Sequence, residues 1–156
     1  MSEFRFEKQR VPAELTLATG VAVRGSFFVA GGAKMHDGAE RVGDLLNEQA
    51  DFFPFELADG RTALYNRKHV VMVALAPGIA EAELDPGYQV ATRRTVTVVL
   101  STGACVAGTV PVYKPTGHER LSDYARSEEL FRYLITSDRT LIVNADHIVE
   151  LLETAH

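Results

Sequence analysis

The chain has 156 residues, 46% of them hydrophobic and 24% charged, with a net charge of −5 and a mean hydropathy of −0.02. That size and balance suit one mid-sized domain or two small ones. The negative charge gives the chain as a whole no attraction for polyanions, and a single cysteine, Cys105, excludes an intramolecular disulfide or a multi-cysteine metal site.

The first ten residues, MSEFRFEKQR, mix acids and bases without an apolar run and do not form a signal peptide pattern. No stretch approaches the roughly 20 apolar residues of a membrane-spanning helix, so a cytoplasmic protein is expected. From Leu15 to Val29 the odd positions Leu15, Leu17, Val21, Val23, Phe27 and Val29 are apolar. Alternation with period two predicts half-buried strands. Thr19-Gly20 interrupts the run where a glycine at positive φ closes a tight hairpin. Gly25 falls on the inward face of the second strand, where the missing side chain lets a small barrel bend.

After the loop GGAKMHDG the period changes. Val42, Leu45 and Leu46 stand at i, i+3 and i+4, which predicts a short helix with one apolar stripe. Asp44 is placed to cap its first turn or to pair with Arg41. Strand patterns return in FFPFEL and in TALYNRKHVVMVAL. Then APGIAEAELDPGY, with Pro-Gly twice, has the composition of a linker.

Beyond the linker the chain repeats itself. LTLATGVAVRGSFFV aligns with VVLSTGACVAGTVPV, so that Gly20, Val23 and Gly25 fall on Gly103, Val106 and Gly108. ERVGDLLNEQADFF aligns with ERLSDYARSEELFR, matching Arg41, Asp44 and Phe52 to Arg120, Asp123 and Phe131. Leu121, Tyr124 and Ala125 take the places of Val42, Leu45 and Leu46, which predicts a second helix. RTALYNRKHVV aligns with RTLIVNADHIV, matching Asn66 and His69 to Asn144 and His147. Length changes fall between these blocks, where loops tolerate them. The reading is therefore mainly β: two tandem small SH3-like barrels, residues 1–76 and 91–156, joined by a linker over 77–90. Each has about five strands, with one short helix inserted after the second. Units of this size sit near the lower limit for an independent core, so the two are expected to pack on each other or on another chain.

The motifs GVAVRG and GACVAG, DLLN at Asp44–Asn47, and RKHVVMV with Lys68 and His69 resemble the Sm-like family, including its Hfq branch. RVGDLLN and RLSDY are also similar to bacterial proteins of unassigned role that carry R-L-S-D-x-L-N between two strand pairs. The resemblance implies a small β-barrel fold, edge-to-edge joining of barrels, and contact with RNA near the Lys-His element. The second copy has Asp146 in place of that Lys.

Chemistry-bearing residues are sparse. The five histidines form no H-x-x-x-H pair, and no nucleophile elbow, phosphate loop or dinucleotide fingerprint is present. Cys105 has Ala22 as its counterpart, and a buried or half-buried thiol is expected there. No catalytic residue, cofactor or metal is expected. Asn66, Arg67, Lys68 and His69 are the candidates for contact with RNA or another ligand, with Arg41 and Arg120 beside them. The alternative for each is structural: Asn satisfies a turn backbone, His is hydrogen-bonded near a strand start, and Arg pairs with Asp. Three functions stay open: a non-enzymatic binding or assembly module, weak single-stranded RNA binding on the first repeat, and an enzyme with an unfamiliar site. The expected partner is another copy, in a dimer or ring, or another protein. No membrane and no DNA are expected.

Overall fold

The computed structural model describes residues 8–30, 40–48, 51–84, 88–112 and 129–154. In chain order the strands are β1 Lys8–Leu17, β2 Ala22–Ala30, β3 Phe52–Leu57, β4 Thr62–Asn66 and β5 Val70–Leu75. They continue with β6 Thr92–Leu100, β7 Cys105–Val112, β8 Phe131–Ile135, β9 Thr140–Asn144 and β10 Ile148–Glu153. Helix α1, Val42–Leu46, lies between β2 and β3 as its apolar spacing predicts. The second predicted helix, with Arg120 and Asp123, lies outside the described residues.

All ten strands form one antiparallel sheet in the order β10-β6-β7-β8-β9-β5-β1-β2-β3-β4. The second half of that order repeats the first, since β5-β1-β2-β3-β4 has β10-β6-β7-β8-β9 as its counterpart. The mainly β expectation holds; two separate barrels are not seen, and the sheet is not closed but runs through both halves. They meet at β5 and β9, with Met72 opposite Val143, Val73 opposite Ile142 and Ala74 opposite Leu141.

The residues explain this junction. VVMVAL in β5 and TLIVN in β9 are apolar at consecutive positions, so both faces of each strand need cover. Val71, Val73, Ile142 and Val143 are all buried. One core gathers Leu15, Phe27, Phe55, Val73 and Leu75 and takes in Phe131 and Ile142 from the second half. The other gathers Val96, Val98, Leu100, Val110 and Val143 and takes in Val71 and Ala74 from the first. Each half thus lends side chains to its neighbour's interior, each fully buried one contributing about 1.5–3 kcal/mol.

Turn chemistry follows the repeat. Gly20 and Gly103 take φ of 90° and 91°, each donating its N–H 2.8 Å to the carbonyl three residues back, Leu17 and Leu100. Val21, past that turn, is exposed rather than inward-facing, and so is its counterpart Ala104. Cys105 is exposed as well, because it begins β7 beside the turn, as Ala22 begins β2. Gly25 and Gly108 serve close approach: a Cβ on Gly25 would run into the Glu56 carbonyl, and one on Gly108 would lie 2.6 Å from the Ile135 oxygen. The linker is no free tether, since Glu81 and Ala82 within it are buried.

Candidate assembly interface at the strand edges

Backbone pairing at the seam between β5 and β9 is reinforced by two side chains of the second half. Asn144 ends β9, and its Oδ1 accepts the Asp146 N–H at 2.9 Å, closing the 3-10 turn Ala145–His147. Its Nδ2 then donates across the seam to the Val70 carbonyl, also at 2.9 Å. His147 bridges in the same direction, with Nε2 2.9 Å from the Lys68 carbonyl and Nδ1 2.8 Å from Ser101 Oγ. A carbonyl can only accept, so Nε2 donates to Lys68, while Nδ1 shares a hydrogen bond with the Ser101 hydroxyl.

The first half builds the same turn without the bridge. Asn66 Oδ1 accepts the Lys68 N–H at 3.0 Å, closing the 3-10 turn Arg67–His69. Ala18 N–H donates to the His69 carbonyl at 2.8 Å, as Ser101 N–H does to that of His147. Ala18 has no hydroxyl, however, and the His69 and Lys68 side chains are exposed. Arg67 turns inward and donates Nη1 to the Leu46 carbonyl at 3.2 Å. Asn66, Arg67, Lys68 and His69 therefore share one turn, and three of their backbone carbonyls or those beside them, at Arg67, Lys68 and Val70, receive the second half.

Arg41 lies apart from that turn. Its guanidinium meets Asp44 at 2.9 Å, and its backbone N–H donates to Asp44 Oδ2 at 3.1 Å, so the Arg-x-x-Asp pair closes the first turn of α1. The same guanidinium lies 5.8 Å from the centre of the Tyr133 ring. Beside it, Glu81 from the linker accepts the N–H groups of Val42 at 2.7 Å and Gly43 at 3.2 Å, and the Tyr133 hydroxyl at 2.8 Å. Burial first, and the Glu81 carboxylate second, push the Tyr133 hydroxyl far above the usual tyrosine range. Asn47 reaches the same way, its side chain bonding both N–H and carbonyl of Phe131 at 2.8 and 2.9 Å. This cluster clamps helix, linker and β8 of the second half together. Sequence patterning gives no sign of Glu81 or Tyr133, since neither has a like residue in the other copy; Tyr133 is matched by Pro54.

The two ends of the sheet are β4 and β10, each with a neighbouring strand on one side only among the described residues. Both carry exposed apolar side chains, Leu64 on β4 and Val149 and Leu152 on β10. A shallow hollow of about 360 Å³ lined by Pro12, Glu14, Arg24, Pro77 and Arg139 lies elsewhere, and neither Arg41 nor the Asn66–His69 turn lines it. Among the described residues no three His, Cys, Asp or Glu side chains are grouped to hold a metal ion. No helix among them is long and apolar enough to cross a membrane. No protein family, curated protein or solved structure matches the chain.

Proposed function

We propose that the protein is a non-enzymatic binding and assembly module, built of two small Sm-like units of the SH3-like barrel type and working through its sheet edges. One observation carries this reading: among the described residues the antiparallel sheet ends on both sides in strands with a neighbour on one side only, and these present exposed leucine and valine. Unprotected edges of that kind pair with added strands. The two cores, each centred on one half and completed by side chains of the other, support the view of two barrel-like units fused side by side. The polar clusters at Arg41 and Asn66 support it too, because their hydrogen bonds are spent on turns, caps and the seam. Light scattering combined with a screen of ester, phosphate, glycoside and peptide substrates tests it. The reading predicts edge-dependent association and no turnover; turnover of any substrate contradicts it.

A second reading, weak binding of single-stranded RNA by the first repeat, is favoured by the exposure of Lys68 and His69 beside Arg61 and Arg67. Asp146 at the matching place in the second repeat and the net charge of −5 oppose a strong electrostatic contribution. Filter binding of short A- or U-rich RNA at 50 mM salt tests this; no retention removes it.

A further inference from the structure

One row across the sheet differs in kind between the two repeats. Pairing sets Arg24 opposite Glu14, Glu14 opposite Ala74 and Ala74 opposite Leu141, so these residues of β2, β1, β5 and β9 share one face. Arg24 and Glu14 form an ion pair at 3.0 Å. In the second repeat Leu152 stands opposite Thr97 and Thr97 opposite Ala107, and none of the three is charged. The fold therefore closes this row without charges, and those of the first copy are an addition to it. Alanine at position 74, where the other copy has leucine, leaves open the hollow of about 360 Å³ beside the row, with Pro12 and Pro77 exposed at its rim.

Arg139 completes that hollow from the second half. Its counterpart Arg61 reaches back past Gly60 to Asp59 at 2.8 Å. The second repeat has no residue in place of Gly60, so Arg139 directly follows Asp138, whose carboxylate takes the Thr136 hydroxyl at 2.9 Å. Among the described residues no carboxylate pairs with Arg139, which is half-buried and lines both this hollow and a smaller one of about 180 Å³ beside the linker. Charge separates the two. The smaller sets Arg139 against two acids, Glu83 and Asp138. The larger sets two cations, Arg24 and Arg139, against Glu14 alone, a positive recess in a chain of net charge −5.

We infer that the larger hollow binds a small organic monocarboxylate, with its carboxylate on the Arg139 guanidinium and its apolar body over Ala74, between Pro12 and Pro77. A guanidinium presents parallel N–H donors that match the two oxygens of a carboxylate. Glu14 already neutralises Arg24, so a single negative charge on the ligand suffices. The volume lies near the lower end for small-molecule sites, which suits a ring or a short branched chain. Such sites favour the meeting place of two units. Here the arginine comes from one half and the walls from the other half and the linker, so neither repeat alone would hold the ligand. The site lies on a face of the sheet, goes beyond the edge reading above and stands whether or not the edges associate.

Benzoate titrated into the full isotope-labelled chain, followed by amide chemical shifts, tests this. Saturable shifts at Ala13, Ala74 and Arg139 with a millimolar or tighter Kd are expected. Benzamide has the same shape without the charge and is expected to bind at least about tenfold more weakly. Arg139→Gln loses a similar factor, and Ala74→Leu, which places the second repeat's residue in the hollow, abolishes binding with the arginine intact. The benzamide comparison uses the wild-type chain and so needs no variant to fold. Shifts that never saturate, benzamide binding as tightly as benzoate, or undiminished binding in Arg139→Gln overturns the inference. Each of these leaves the edge reading untouched, because light scattering tests that separately.

Discussion

Asn144 donates its side-chain amide 2.9 Å to the carbonyl of Val70, across the seam between the two halves, and none of it reaches solvent. Its oxygen is meanwhile committed to Asp146 N–H at 2.9 Å. Asn144→Asp turns the donor into a second acceptor aimed at a carbonyl. The expected loss is on the order of 3 kcal/mol, because a buried group is left unpaired on each side. Asn66→Asp keeps the oxygen that caps its own turn, and in the single chain it costs under about 1 kcal/mol. Urea midpoints of the two variants, measured at dilution, check the asymmetry.

Glu81 holds three donors from two separate elements, and the backbone N–H groups of Val42 and Gly43 depend on it. Glu81→Ala leaves those donors and the Tyr133 hydroxyl without their acceptor, for a loss of about 2–4 kcal/mol. Gly43→Ala acts from the other side of the cluster. Its Cβ would stand 2.5 Å from the Tyr133 oxygen, forcing the ring away from Glu81. Overpacking of that kind costs about 1–3 kcal/mol. Thermal denaturation of both variants tests this, and an unchanged midpoint in Glu81→Ala refutes the clamp.

The same cluster makes stability fall in alkali. Burial and the Glu81 carboxylate raise the Tyr133 pKa above its unfolded value, which is about 10. The folded state therefore keeps a proton that the unfolded chain releases, so this contribution is complete below about pH 10 and is lost progressively above it. Tyr133→Phe removes the titration. Wild type is expected to lose stability more steeply than the variant between about pH 10 and 11.5, as measured by urea midpoints.

Gly25 shows how close β2 and β3 come. An added methyl group would meet the backbone oxygen of Glu56, which lies in the neighbouring strand of the ladder, and the ring of the fully buried Phe55. Gly25→Ala is expected to cost on the order of 3 kcal/mol, whereas Gly103→Ala is opposed only by its φ of 91°, with open space around the Cβ. Paired denaturation curves rank the two.

The repeat, the hairpins at Gly20 and Gly103, helix α1 and the Arg41–Asp44 pair are all legible in the sequence, because each is a local consequence of period or turn chemistry. The continuous sheet is not. Period two says that a strand has two faces, and it does not say which strand lies beside it. The clue was present in VVMVAL and TLIVN, where alternation fails because β5 and β9 are covered on both faces. Glu81 was hidden for a different reason. It caps a helix 38 and 39 residues upstream, and the duplication offers no second copy of that contact to compare. The repeated Asn and His were visible as a pair, but their difference was not: Ser101 in place of Ala18 gives His147 a partner that His69 lacks.

Spoiling the two sheet edges, separately and together, tests the central claim most directly. Leu64→Lys spoils β4 and Leu152→Lys spoils β10; light scattering is read on each variant and on the double variant. Assembly through the edges predicts a lower mass for each single variant than for wild type, and one 17.1 kDa chain for the double variant. A double variant that still associates as wild type does contradicts the account.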